Sequence, residues 1–300
     1  MKNRTVPILI TSDVDPTPEV TLENKKRSLS ITMELFKEFG IRSTFFFVAN
    51  TARHLSDEIS ALKEHNHEIG CHGLTHGYEE EYDKMPEQMQ QSYLESATEI
   101  LDDLAQSRMR SFRGPRVKTS HVTQGILEDL GYVADSSVCS QRMDLISSNL
   151  VNTGWIFAPR MPYHPNKTNA YRRGNRTITV VPVSAMIFPF VSGMIYTFGL
   201  SIMKVLFDIF YLESMRTGKP IVYLLHPAEF ARPTEKVDCQ FSIKNIFVEG
   251  FPFRRANWLF ESDIKKRYEG NRGLFAHMKS HANVRFMTVH DYVHSKYTTS

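Results

Sequence analysis

Two aspartates one residue apart, Asp13-Val14-Asp15, close a short apolar run near the N-terminus. Two histidines four apart stand in His72-Gly-Leu-Thr-His76, and a third, His226, follows the apolar run Ile221 to Leu225. One carboxylate and two imidazoles suffice to hold a divalent cation while leaving a coordination position open. A cation so held acidifies a water molecule. Asp15, His72 and His76 are the candidate ligands, and the four-residue histidine spacing would put both rings on one face of a helical turn. Asp13, on the same side of an extended strand end as Asp15, is the candidate base, and His226 the candidate acid. Arg113 is placed to pair with Asp13 and hold it ionised and oriented. Asp135 is expected to bond a ring nitrogen of His226 and raise its pKa. Each residue alone has a plainer reading: a solvated turn before Pro16, a surface Arg before Pro115, an Asp capping a Ser-Ser turn, a core His behind a strand. Asp13, Asp15, His72, Arg113, Asp135 and His226 all fall at or just after the end of a predicted strand, which favours one shared site.

The elements that must position these groups alternate in type. Strands are predicted at Ile8 to Thr11, Ser43 to Val48, Glu68 to Cys71, Ser111 to Arg113, Tyr132 to Ala134, Ile178 to Val183, Ile221 to Leu225 and Val284 to Val289, from β-branched and aromatic runs. Helices are predicted at Asn24 to Phe39, Asp57 to His65, Pro86 to Ala105 and Ser120 to Leu130, with Gly40 and Gly131 as C-terminal stops. His65 and His67 read as surface residues. A repeated βα pattern gives a doubly wound sheet or a (β/α) barrel, and either puts catalytic groups at the C-terminal ends of its strands. The pattern loosens at about 231–283, read as an irregular insertion plus a terminal helix inside a single domain spanning 1–300.

Composition narrows the class. A chain of 300 residues, 41% apolar, can bury one large core. A net charge of +3 with mixed signs, and no basic tract beyond three residues, argues against nucleic acid. Three distant cysteines make a disulfide framework an unsuitable reading and fit a cytosolic setting. The first apolar run is too short for a signal peptide. No charged residue occurs from Thr177 to Met203. For 184–212 three readings stand: buried core, a helix lying at a membrane interface, or a span. Pro182, Pro189, Gly193 and Gly199 argue against a span.

Together these motifs resemble the polysaccharide deacetylase family, the NodB-homology carbohydrate esterases. Thr11-Ser-Asp13-Val-Asp15, His72-Gly-Leu-Thr-His76, Arg113-Gly-Pro115-Arg116, Tyr132-Val-Ala-Asp135-Ser-Ser137 and Leu224-Leu-His226 resemble that family's five motifs in order. The resemblance implies a distorted (β/α) barrel of about seven parallel strands. It implies Asp13 as base, Asp15, His72 and His76 as ligands of zinc (iron, cobalt or manganese fit the same donors), and the Pro115–Arg116 backbone as the oxyanion donor. The implied reaction is removal of an N-acetyl or N-formyl group from an amino sugar. Val14 between the aspartates resembles the intracellular branch of lipid-linked aminoarabinose deformylases. Arg116 replaces the family's Tyr, and its guanidinium is expected to favour an anionic substrate. The expected partners are a carbohydrate, lipid-linked or nucleotide-linked, and a membrane face touched through 184–212. A hydrolase of a non-sugar amide and an inactive glycan-binding or assembly protein are the competing readings.

Overall fold

The structure, a computed structural model, describes residues 4–142, 153–231 and 264–297. Its centre is a sheet of short strands: β1 (Val6–Val14), β2 (Ser43–Phe47), β3 (Glu68–Cys71), β4 (Ser111–Phe112), β5 (Ala134–Asp135), β6 (Thr179–Val180), β7 (Ile221–Leu225) and β8 (Val284–Phe286). Seven run in the order β7-β1-β2-β3-β4-β5-β6, and β8 lies against the start of β1. All pairings are parallel. The helices are α1 (Leu22–Phe39), α2 (Ala49–Ala52), α3 (Ser56–Glu64), α4 (Glu87–Ala105), α5 (His121–Asp129), α6 (Thr153–Phe157), α7 (Ser192–Phe198), α8 (Leu200–Thr217), α9 (Ile264–Ser280) and α10 (Val289–Tyr297). The seven strands curl into a half-barrel flanked by helices, the distorted (β/α) barrel that the family resemblance implies.

All nine residues of β1 are buried, as a central parallel strand covered on both faces requires. The strand's two-residue period separates two cores. Ile8 and Ile10 pack outward among Leu29, Phe36 and Phe45. Leu9 packs inward with Phe46, Val180, Val222 and Leu224. Continuing the inward parity through Thr11 carries Asp13 and Asp15 to the mouth of the barrel. The helices are set by their ends: Thr21 caps α1 by accepting from the Asn24 amide, and Gly40, at φ 65°, stops it.

Among the described residues no strand pair joins β6 to β7. Backbone from 184–191 runs down this seam instead. The Ser184 amide donates to the Val222 carbonyl at 3.1 Å, and Leu224 donates to Phe190 at 3.2 Å.

The apolar stretch 184–212 divides into a short hairpin (Ala185–Met186 with Phe188–Pro189), α7 and α8. The break between the helices falls at Gly199, whose φ of 85° and ψ of 162° end one helix and start the next. No described helix is long and apolar enough to cross a membrane. Of the stretch read as an insertion, 232–263 lies outside the described residues, and Ile264–Ser280 is the helix α9.

One histidine departs from expectation. His67 is buried between Phe36 and Phe45, and its Nδ1 accepts from the Ser43 amide at 3.1 Å. Burial pushes its pKa down to about 4, so it is a neutral core residue rather than a surface one.

Candidate active site

The groups singled out in the sequence converge at the C-terminal ends of β1, β3, β4 and β7. Asp13 ends the inward row of β1 and is buried. Its Oδ1 accepts from Arg113 Nη1 at 2.8 Å. Arg113 is itself fully buried, and every nitrogen of its guanidinium has an acceptor. Nη1 also reaches Thr11 Oγ1 at 2.9 Å, Nη2 reaches Ser136 Oγ at 2.8 Å and Nε reaches the Ser136 carbonyl at 3.1 Å. The guanidinium stacks 4.5 Å above the Phe46 ring. Paired and hydrogen-bonded in this way, a buried charge is tolerated, and removing one partner of such a pair costs about 3–5 kcal/mol.

His72 leaves the end of β3. Its Nδ1 donates to the Arg113 carbonyl at 2.6 Å. A carbonyl only accepts, so the proton sits on Nδ1 and the neutral ring turns the Nε2 lone pair inward. Nε2 lies 3.3 Å from Asp15 Oδ1 and 3.9 Å from Asp13 Oδ2. His76 Nε2 lies 3.7 Å from the same Asp15 oxygen. Asp15 Oδ1 is buried and makes no hydrogen bond of good geometry. A carboxylate oxygen facing the His72 lone pair is repelled unless a cation, either a proton or a metal ion, lies between them, and the His76 ring nitrogen faces the same oxygen. Ligand atoms of Asp15, His72 and His76 all lie within 4.8 Å of one another. The donor set and the orphaned oxygen therefore fit a divalent metal, with these three residues holding it.

The histidines do not share a helical turn. Residues 72–77 form a loop, with Gly73 at φ 80° and His76 at φ 61°. Its shape comes from Glu80, fully buried, whose carboxylate accepts from the amides of Leu74, Thr75 and His76, each at 2.7 Å. Tyr82 OH and Thr75 Oγ1 add donors at 2.8 and 2.9 Å. A Cβ on Gly73 would lie 2.3 Å from Glu80 Oε1, so the loop and its acid are matched to glycine there.

His226 follows β7, with its Nε2 3.8 Å from Asp15 Oδ2. The expected partner Asp135 is not beside it. Asp135 is buried beneath the Arg113 loop and accepts from Thr119 Oγ1, Gln124 Nε2 and the Ser137 amide at 2.9, 3.0 and 2.9 Å. Ser137 Oγ in turn accepts from the Gly114 amide at 2.8 Å. Asp135 thus shapes the Arg113-Gly-Pro turn. The carboxylate that meets His226 Nδ1, at 3.3 Å, is Glu229. Glu229 is anchored by Ser192 Oγ at 2.5 Å and Tyr196 OH at 2.7 Å, both from α7. Three residues after His226, it returns to the same side of the short 3₁₀ turn Pro227–Phe230.

The Arg116 side chain differs from expectation as well. Its Nη2 donates to the Gly77 carbonyl at 2.6 Å and Nη1 to the His76 carbonyl at 3.3 Å, with Glu81 at 3.4 Å from Nε. The guanidinium braces the His76 loop rather than standing free for an anion. Arg116 itself adopts φ 57° in the turn Pro115–Val117. A Cβ on Gly114 would collide with the Lys118 carbonyl at 1.9 Å, which keeps that position glycine.

Electrostatics follow from this packing. Burial opposes ionisation of Asp15, but His76, His72 and His226 outweigh it and hold the carboxyl well below the usual range. Burial disfavours a charged His226, yet Glu229, Asp15 and Asp13 overcome it and lift the ring to about 9. His72 is raised, with Asp13 and Asp15 outweighing burial, whereas burial prevails at His76 and lowers it.

Comparison with known proteins agrees with the fold. Over the whole fold, the chain is similar to a protein of Mycobacterium smegmatis named as a polysaccharide deacetylase (16% identity, TM-score 0.63, 99% of this chain and 92% of that one). It is similarly close to the PuuE allantoinase (16%, 0.61, 99% and 92%). A protein of Pseudomonas aeruginosa PAO1, also named as a polysaccharide deacetylase, gives 15% and 0.62 over 98% and 93%. At these identities the likeness is one of fold. No curated protein sequence matches the chain. Residues 7–134, the stretch that carries Asp13, Asp15, His72, His76 and Arg113, match the model of the polysaccharide deacetylase family.

Proposed function

We propose that the chain is a metal-dependent hydrolase that removes an N-acyl group, acetyl or formyl, from an amino sugar. The observation that carries the reading is the Asp15–His72–His76 cluster, flanked on one side by Asp13–Arg113 and on the other by His226–Glu229. A divalent cation bound there, zinc by its donor set, would acidify water and polarise the acyl oxygen. Asp13, fixed through Oδ1 by Arg113, takes a proton from the attacking water on Oδ2. The water oxygen adds to the acyl carbon, and the Arg116 backbone amide donates to the oxyanion in the role implied by the family motif. His226, its Nδ1 proton held by Glu229, gives the Nε2 proton to the amine nitrogen as the C–N bond breaks. The products are a carboxylic acid and a free amine.

An apolar surface supports a lipid-linked substrate at a membrane face. Ile202, Val205, Ile209 and Leu212 are 54, 59, 42 and 55% exposed. They recur at helical spacing along one face of α8. This helix continues directly from α7, whose Ser192 and Tyr196 hold Glu229 behind His226. The fold alone does not select the substrate, and the sugar reading rests on the family match. The deciding experiment is turnover of acetylated and formylated amino-sugar panels by zinc-loaded protein, with and without a polyprenyl carrier. Release of acetate or formate is expected. Absence of release from every sugar, alongside hydrolysis of a non-sugar amide, would replace the substrate class.

A further inference from the structure

A second group of the same composition lies on the outer helices. Asp208, on α8, His277, in the last turn of α9, and His281, the residue after that helix ends, bring their ligand atoms within 4.8 Å of one another. Both imidazoles address a single carboxylate oxygen: His277 Nε2 donates to Asp208 Oδ1 at 2.7 Å, and His281 Nε2 lies 3.1 Å from the same oxygen. Tetrahedral zinc with bonds near 2.0–2.1 Å sets its ligand atoms about 3.3 Å apart. The 3.1 Å between His281 Nε2 and Asp208 Oδ1 is close to that, and the 2.7 Å His277 hydrogen bond would open by about half an ångström as an ion replaces its proton.

The tautomer favours a metal further. His281 Nδ1 donates to the His277 carbonyl at 2.8 Å, so the neutral ring carries its proton there and directs the Nε2 lone pair at Asp208. This backbone brace is the support that metal-binding histidines ordinarily have, and His72 has the same one through Arg113. The rings are also locked by packing. Phe207, fully buried, meets His277 and His281 edge-on at 5.7 and 5.1 Å, and Tyr211 meets His281 at 4.6 Å. The three ligands are half-buried, which leaves an approach for the ion and for a completing water.

We propose that Asp208, His277 and His281 form a second binding site for a first-row divalent cation, which staples α9 to α8. The consequence reaches the candidate active site through the fold. Asn271 on α9 accepts from Tyr223 OH at 2.7 Å and donates to Tyr196 OH at 2.8 Å, and Tyr196 holds Glu229. A clamp on α9 therefore steadies the scaffold behind His226.

The test uses the full chain and zinc alone, followed by cobalt as a coloured probe. After equilibrium dialysis in buffered zinc, metal per chain is measured for wild type, His277→Gln/His281→Gln and His72→Gln/His76→Gln. About two equivalents are expected for wild type and about one for each double variant. Cobalt bound to the His72→Gln/His76→Gln protein should give the intense visible band of tetrahedral coordination, and Asp208→Asn in that background should remove it. The zinc-dependent part of the rise in Tm should shrink in His277→Gln/His281→Gln while circular dichroism stays that of wild type. Equal metal content in wild type and His277→Gln/His281→Gln overturns the proposal. So does an Asp208→Asn protein that keeps the cobalt band. If His72→Gln/His76→Gln does not fold, the comparison of wild type with the other double variant decides alone.

Discussion

The most informative perturbation is Glu229→Gln. The side chain keeps its shape and one oxygen, enough to accept from Ser192 and His226 but not also from Tyr196, and loses the charge 3.3 Å from His226 Nδ1. A hydrogen bond to a charged partner contributes about 1.5–3 kcal/mol, which is about 1–2 pKa units. His226 stands raised to about 9 in the protein without metal. As acid it must be protonated, so activity is lost as pH rises through its pKa. Removing the carboxylate should move the alkaline limb of kcat/KM about 1–2 units toward neutrality, with the acid limb unmoved. Stability gives an independent reading in metal-free protein. A histidine whose folded pKa is raised contributes fully below its unfolded value, about 6.5, and that contribution is lost as pH climbs through about 9. The wild type should therefore lose about 3 kcal/mol across that window, and Glu229→Gln markedly less. An alkaline limb that stays in place in the variant would refute Glu229 as the group that tunes the acid.

Asp13→Asn should reduce turnover at least 100-fold, the lower bound for loss of a positioned base, while metal content measured by mass spectrometry is unchanged. Glu80→Ala should weaken zinc binding about 10–100-fold, as loss of outer support around a metal site does, which titration against a competing chelator would measure. Chelation of wild type should abolish hydrolysis, and zinc should restore it. Replacing Ile202, Val205, Ile209 and Leu212 together by Ser should abolish co-sedimentation with anionic vesicles while leaving hydrolysis of a water-soluble amide substrate intact.

The barrel was legible in the sequence because its strands are short, mostly apolar runs: Ile221–Leu225 falls at the predicted position, and so does Glu68–Cys71 behind its leading acid. β1 runs further than its apolar core suggests, through Asp13 to Val14, because a buried ladder and Arg113 accommodate the carboxylate. Pro86 precedes α4 as its cap instead of opening it. The misreadings share a cause. Asp135 and Glu229 are both acids near the site, and only packing decides which touches His226. The local signal for Glu229 was its three-residue offset from His226. Glu80, inside the acidic run Glu79-Glu80-Glu81, carried no local signal of its role: it is buried because three backbone amides of one loop need a single acceptor. The four-residue spacing of His72 and His76 suggested a helix for the same reason: the loop that replaces it is held by a residue outside the motif.

Glu80 has a kinetic consequence. A site whose ligands must first be gathered from a disordered loop pays that ordering cost at each loading event, and metal uptake then becomes as slow as local folding. Here the cost has been met within the polypeptide, since the carboxylate already holds the Leu74, Thr75 and His76 amides in place. Loading at His76 should then resemble exchange at a rigid chelator, limited by ion dehydration and access rather than by rearrangement of the chain.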